Sequence, residues 1–377
     1  MNSPLVTRRV ERGVVATGDD PLLTRAGGRL DHVEVAYETY GRLNAARDNA
    51  VFICHALTGD AHAAGISEGT GKRGWWDNLI GPGKPVDTDR FFVISPNLLG
   101  GCSGTTGPLS VNPATGEPHY LDFPLLHMSD MVEVHERLLR LLGIDHLYAA
   151  VGGSLGGMQV LQWVIDHPER MDRAVLVAAS SRISPENIAF SSVGREAIMN
   201  DPDFHDGRYA EHGVVPWRGQ KVARMMAHIT YVSPESLEHK FGHERRSHGL
   251  DWRMESDFEV EHYLQHQGEV FLDRFDALSY LYLSRLLDYF DPFADPGVGA
   301  ALARTRTQFQ VTSFDSDWRF STAQSQELVA QLEGHGVSVD FAELASAYGH
   351  DSFLLEPAGY HDRVRAFLDA PAPREGN

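Results

Sequence analysis

Three features of the sequence predict an α/β fold built on a mostly parallel sheet. Short apolar runs alternate with segments of helical spacing up to residue 183. A long stretch of almost purely helical character, 184–300, follows, and the strand and helix alternation resumes over 301–377. The simplest organisation is one core, residues 1–183 with 301–377, interrupted by a helical lid domain over 184–300. No internal repeat is present.

The early strands are read from period-2 and short apolar runs at 32–37, 50–54 and 91–95. Residues 128–142 have helical spacing, with Met131, Val134, Leu138, Leu141 and Leu142 on one face and Gly143 as a stop signal. A strand (147–151), a glycine turn, a helix (155–165) and another strand (174–179) come next. Helices are then predicted at 185–199, 219–231, 234–241 and 276–289. In the last of these, Leu278, Leu281, Leu286 and Leu287 read as core of the insertion. Strands return at 307–314 and 338–344, with a helix over 323–332 between them and a last helix near 357–368.

Composition narrows the function classes. The chain has 377 residues, of which 42% are hydrophobic and 23% charged, enough for a large core without metal or disulfide support. A formal net charge of −19 argues against nucleic acid and anionic membrane surfaces as partners. No run of eighteen apolar residues and no signal-like N-terminus is found, so a cytoplasmic location is expected. The two cysteines, Cys54 and Cys102, suit a reduced compartment.

Chemistry concentrates at Gly152-x-Ser154-x-Gly156, which lies between a predicted strand and a predicted helix. In that context the glycines permit a sharp turn that lifts Ser154 above the strand ends as a nucleophile, at a helix N-terminus. This is the arrangement of the α/β-hydrolase fold, in which an acid and then a histidine follow in sequence. Asp317 and Asp315 both stand after the strand 307–314, and His350 follows the last strand. His350 would take the serine proton, with the aspartate holding its ring. The oxyanion donors expected are the N–H groups of Leu155 and of Leu57, in the loop after an early strand. His55, in that loop, reads as a residue that shapes backbone.

Other motifs are weaker. Gly69-Thr70-Gly71-Lys72 lacks the flanking residues of a phosphate loop. His243 and His248 are one residue too far apart for a zinc-protease helix, and the helical pairs His239/His243 and His262/His266 lack carboxylate support. No metal site is expected.

Several segments closely resemble the MetX-type homoserine O-acyltransferases of methionine biosynthesis: 49–62, Gly74-Trp75-Trp76-Asp77, the string from Asn97 to Pro108, 152–159, 315–320 and Gly349-His350-Asp351. The resemblance runs from about residue 34 to 368. It implies a ping-pong transfer from acyl-CoA, a co-substrate and not a cofactor, through Ser154 to the hydroxyl of L-homoserine. It also implies the triad Ser154, Asp317 and His350, and a homodimer through the lid. Arg224 is implied to grip the homoserine carboxylate with Tyr231 in support, and Asp351 to receive the amino group.

Arg319, two positions after Asp317, resembles the succinyltransferase subgroup, since acetyltransferase members usually carry an apolar residue there. A succinyl carboxylate would pair with the guanidinium, whereas an acetyl methyl would leave it unpaired. Succinyl-CoA is the expected donor, with acetyl transfer as the alternative, and serine O-acylation or ester hydrolysis as further ones. Lid aromatics, including Tyr231, Tyr263, Tyr280, Tyr282 and Tyr289, could keep water from the acyl-serine.

Overall fold

The computed structural model describes residues 6–7, 10–246 and 256–371. Its main sheet has eight strands: β1 (Glu11–Ala16), β2 (Val33–Tyr40), β3 (Ala50–Cys54), β4 (Phe92–Pro96), β5 (Leu147–Gly153), β6 (Met171–Val177), β7 (Gln308–Phe314) and β8 (Val339–Leu344). Their spatial order is β1-β2-β4-β3-β5-β6-β7-β8. From β4 onward neighbours are parallel, while β2 runs antiparallel to both β1 and β4.

The central strands are buried on both faces, which explains why they read as continuous apolar runs. Along β3, Ala50, Phe52 and Cys54 pack into one apolar layer, and Val51 and Ile53 into the other. The first layer is covered by α1 (Met128–Leu142) and α2 (Leu155–Asp166), the second by α10 (Tyr360–Asp369) and the segment around Trp76. α1 opens with a reciprocal cap, His127 Nδ1 accepting from Ser129 N–H while Asp130 accepts from His127 N–H, and ends at Gly143.

Between β6 and β7 the chain forms α3 (Pro185–Met199), α4 (Trp217–Ile229), α5 (Pro234–Phe241), α6 (Glu259–Leu272), α7 (Ala277–Asp288) and the short α8 (Val298–Leu302). Ser184, Ser233 and Asp276 cap α3, α5 and α7, each side chain accepting an N–H of the first turn. Leu278, Leu281, Leu286 and Leu287 are buried as expected. α9 (Thr322–Gly334) links β7 to β8.

Several boundaries differ from the sequence reading. α4 stops at Ile229, two residues short of the expected end, which leaves Thr230 and Tyr231 in the link to α5. α10 begins at Tyr360 and not at 357, because Gly359 takes a left-handed conformation (φ 80°) that interrupts the helix. β1 carried no clear signal, since Glu11, Arg12 and Val14 of this edge strand are exposed. His239 is helical, but α5 ends at Phe241, so His243 does not share its face. His248 lies outside the described residues.

Candidate active site

The turn from β5 into α2 places Ser154 in a strained left-handed conformation (φ 57°, ψ −126°). The turn closes only because its flanking residues lack side chains. A Cβ at Gly156 would collide with the Cys54 carbonyl, and one at Gly152 with the Gly156 backbone. Ser154 N–H donates to Val177 O at 2.9 Å, which ties the turn to β6.

His350 Nε2 lies 2.9 Å from Ser154 Oγ, and its Nδ1 lies 2.7 Å from Asp317 Oδ2. All three residues are buried. The other Asp317 oxygen accepts the N–H groups of Arg319 (3.0 Å) and Phe320 (2.9 Å), which fixes the carboxylate plane. Asp315 is exposed and turned away, accepting from Ser346 N–H at 2.9 Å. Geometry thus separates two carboxylates that sequence position alone left equivalent.

The His350 loop is held from two sides. Trp76 Nε1 donates to Phe353 O at 2.7 Å, with the two rings packed edge to face, and Asn78 donates to Leu354 O. Gly349 adopts φ 65° directly against the backbone of Val232 and Ser233, where a Cβ would clash. Asp351 N–H donates to Tyr231 O at 3.0 Å. The Trp76 contribution bridges 277 positions and was invisible in the sequence.

Leu155 is the first residue of α2, and Leu57 sits in the loop after β3. Neither N–H has a hydrogen-bond acceptor among the described residues. Buried His55 supports that loop, its Nε2 receiving Leu98 N–H at 3.1 Å and Asn97 Nδ2 at 3.2 Å. Burial lowers its basicity, so it acts as a scaffold for the backbone, as read.

Arg224 projects from α4, its guanidinium carbon 5.4 Å from the Tyr231 ring and 4.9 Å from Phe271. Its Nε is buried without a partner, and it makes no ion pair with Asp351 among the described residues. Burial pushes the Asp351 carboxyl above its usual range, opposed by the charges of His350 and Arg224. The Tyr231 ring lies 6.1 Å from the His350 ring. Arg224 beside Tyr231 and Asp351 beside His350 thus each lack a counter-ion among the described residues.

Arg319 is 6% exposed, and its Nη1 donates to Thr230 Oγ1 at 2.7 Å. No carboxylate among the described residues pairs with it. It lines a narrow cavity together with Leu57, Tyr231 and Tyr280. Of the five lid tyrosines singled out from the sequence, Tyr231 and Tyr280 line this space. Tyr263 bonds His228 instead, Tyr282 donates to the Leu121 and Phe123 carbonyls, and Tyr289 is half exposed. Among the described residues no group of three or more metal-ligating side chains occurs.

Residues 49–357 match the alpha/beta hydrolase fold family. The chain is 75% identical to a homoserine O-succinyltransferase from a Nocardioides species, over 95% of this chain and 97% of that protein. It is 52% identical to a homoserine O-acetyltransferase from Caulobacter vibrioides, over 95% and 94% of the two chains. The crystal structure of a homoserine O-acetyltransferase from Bacillus anthracis superimposes with a TM-score of 0.89 at 26% identity, covering 97% of this chain and 98% of that one. With the glycine turn, the eight-stranded sheet and full-length similarity in agreement, the chain belongs to the homoserine O-acyltransferase family of the α/β-hydrolase fold.

Proposed function

We propose that the protein is a homoserine O-succinyltransferase that works by a ping-pong mechanism in methionine biosynthesis. The observation that carries the donor choice is Arg319, a buried guanidinium without a carboxylate partner among the described residues that opens on the same cavity as Leu57. Burying such a charge beside an acetyl methyl would be costly, whereas a succinyl carboxylate neutralises it.

In this reading Ser154 Oγ attacks the thioester carbonyl of succinyl-CoA as His350 Nε2 takes its proton. Asp317 holds the ring in the required tautomer and stabilises the imidazolium. The N–H groups of Leu57 and Leu155 bind the oxyanion. His350 returns the proton to the departing CoA sulfur, leaving succinyl-Ser154. The side-chain hydroxyl of L-homoserine then gives its proton to His350 and attacks the ester, releasing O-succinylhomoserine and restoring Ser154.

Arg224, supported by Tyr231, binds the homoserine carboxylate and Asp351 its ammonium, which suits the unpaired states of both side chains. The helical segment serves as the lid that shields the ester from water. Exposed Val193, Trp217, Val222, Ile229 and Val270 on α3, α4 and α6 support a homodimer through that segment. No described helix is long and apolar enough to cross a membrane. A cytoplasmic location suits the substrates, and the proposed chemistry needs no cofactor beyond acyl-CoA as co-substrate.

A second reading, acetyl transfer, draws on the name of the Caulobacter relative. Intact-mass analysis after mixing with equal succinyl-CoA and acetyl-CoA, without acceptor, decides between them. A succinyl adduct on Ser154 is expected; an acetyl adduct would reverse the donor assignment. Adding homoserine should convert the adduct to acyl-homoserine, whereas release of free acid would indicate a hydrolase.

A further inference from the structure

The cavity at Arg319 contains hydroxyl groups that the acyl-transfer steps leave unused. Tyr280 on α7 and Ser191 on α3 line it from two different helices. They are 4% and 7% exposed, and neither hydroxyl has a hydrogen-bond partner among the described residues. Both hydroxyls are open to the cavity, so two donors from different helices converge on one space and suit an occupant that accepts hydrogen bonds.

The electrostatic setting selects an anion. Arg319 uses one guanidinium nitrogen on Thr230 and has no other partner among the described residues. Burial pushes the Tyr280 hydroxyl up in pKa even though Arg319, Arg224 and Arg195 oppose the shift, so it remains an O–H donor. The next polar group, Ser284, already receives Arg195 Nη1 at 3.2 Å, and Arg195 is neutralised by Asp288 at 2.5 Å. None of the cavity residues is acidic.

We infer that Tyr280 and Ser191 are specificity-determining residues that donate hydrogen bonds to the terminal carboxylate of the succinyl group, completing with Arg319 a buried anion subsite. A carboxylate offers about four lone-pair positions. The guanidinium fork fills some of them and the two hydroxyls reach the remainder. An acetyl group ends in a methyl and offers no acceptor at that position, so the same three groups reject it by being left unpaired. This inference rests on the succinyl-transfer reading above and adds residues to it.

The test compares kcat/KM for succinyl-CoA and acetyl-CoA in the wild type, Tyr280→Phe and Ser191→Ala, at saturating homoserine. Each substitution should lower the succinyl value about tenfold, the loss expected of one hydrogen bond to a charged group. The acetyl value should change less than about twofold, which also shows that the variants are folded. Equal losses on both donors, or no loss on either, would overturn the assignment. A wild type that prefers acetyl-CoA would instead sink the donor reading itself. A wild type that prefers succinyl-CoA, with a preference that survives both substitutions, would overturn the present inference alone.

Discussion

The main-chain N–H of Arg319 donates to Asp317 Oδ1 at 3.0 Å, so the residue that bonds the histidine and the residue that lines the cavity beside Leu57 share one turn. Backbone holds the acid, and the side chain, bonded to Thr230, is left to line the cavity that we propose receives the donor's acyl group. Arg319→Leu should therefore leave Asp317 and His350 in place while lowering the succinyl to acetyl ratio of kcat/KM by about two orders of magnitude, as expected for loss of a buried charge pair. Steady-state kinetics with both donors checks this, and an unchanged ratio would remove the donor argument.

Asp317→Asn offers His350 Nδ1 an amide in place of a carboxylate and destabilises the reactive tautomer. We predict a fall in kcat of about four orders of magnitude with the fold intact. Asp315→Asn should change kcat less than about twofold, because Asp315 merely receives Ser346 N–H at the surface. Comparable losses in the two variants would mean that the wrong carboxylate has been assigned.

Asp351→Asn and Arg224→Gln should separate the two half-reactions. Acylation of Ser154 by the donor proceeds near the wild-type rate, whereas KM for homoserine rises about tenfold or more. Rapid-quench measurement of adduct formation and decay reads each step independently. A slowed first step would place these residues at the donor instead.

Trp76→Phe deletes the hydrogen bond to Phe353 O and leaves a buried carbonyl unsatisfied. Stability should drop by about 1–3 kcal/mol in chemical denaturation. Activity should fall further than the residual folded fraction explains, since the His350 loop loses one of the hydrogen bonds that anchor it.

Burial lowers the pKa of His135 to about 4, against an ordinary value of 6.5. Above pH 6.5 the ring is neutral in both folded and unfolded chains and contributes no pH dependence. Between 6.5 and 4 the unfolded chain takes up a proton that the folded one refuses, so stability falls as pH falls, by up to about 1.4 kcal/mol per pH unit. His228, also lowered to about 4, acts in the same direction. Urea unfolding from pH 7 to pH 4 should show a shallower slope for His135→Phe than for wild type; equal slopes would contradict the assignment.

Local patterns carried most of the fold and the nucleophile. β3, β5 and β6 are buried on both faces and so are written as apolar runs, and the glycines around Ser154 form a compact local motif, although the backbone that Gly156 must clear is that of distant Cys54. β1 escaped because an edge strand with exposed Glu11, Arg12 and Val14 has no alternation to detect. The choice between Asp315 and Asp317 depends on which side of the β7 loop each carboxylate leaves, a matter of two residues that periodicity cannot resolve. Tyr280 was legible only as one of several aromatics that could exclude water and Ser191 carried no signal, because they meet in a cavity assembled from α3, α7 and the Asp317 loop. Trp76 is joined to the His350 loop only by the closed fold.

The link between α4 and α5 is fastened on both flanks. Tyr231 O accepts Asp351 N–H, Val232 O accepts Trp318 Nε1 at 3.0 Å, and Ser233 Oγ donates to Ala347 O at 2.6 Å. The helical segment is thereby moored at its middle to the two loops that carry the acid and the base. Swinging it away as a hinged flap would break all three of these bonds to the loops of Asp317 and His350. With that mooring, traffic to the serine would pass through a standing doorway, and the proposed acyl ester would be sheltered by architecture instead of by the timing of a closure.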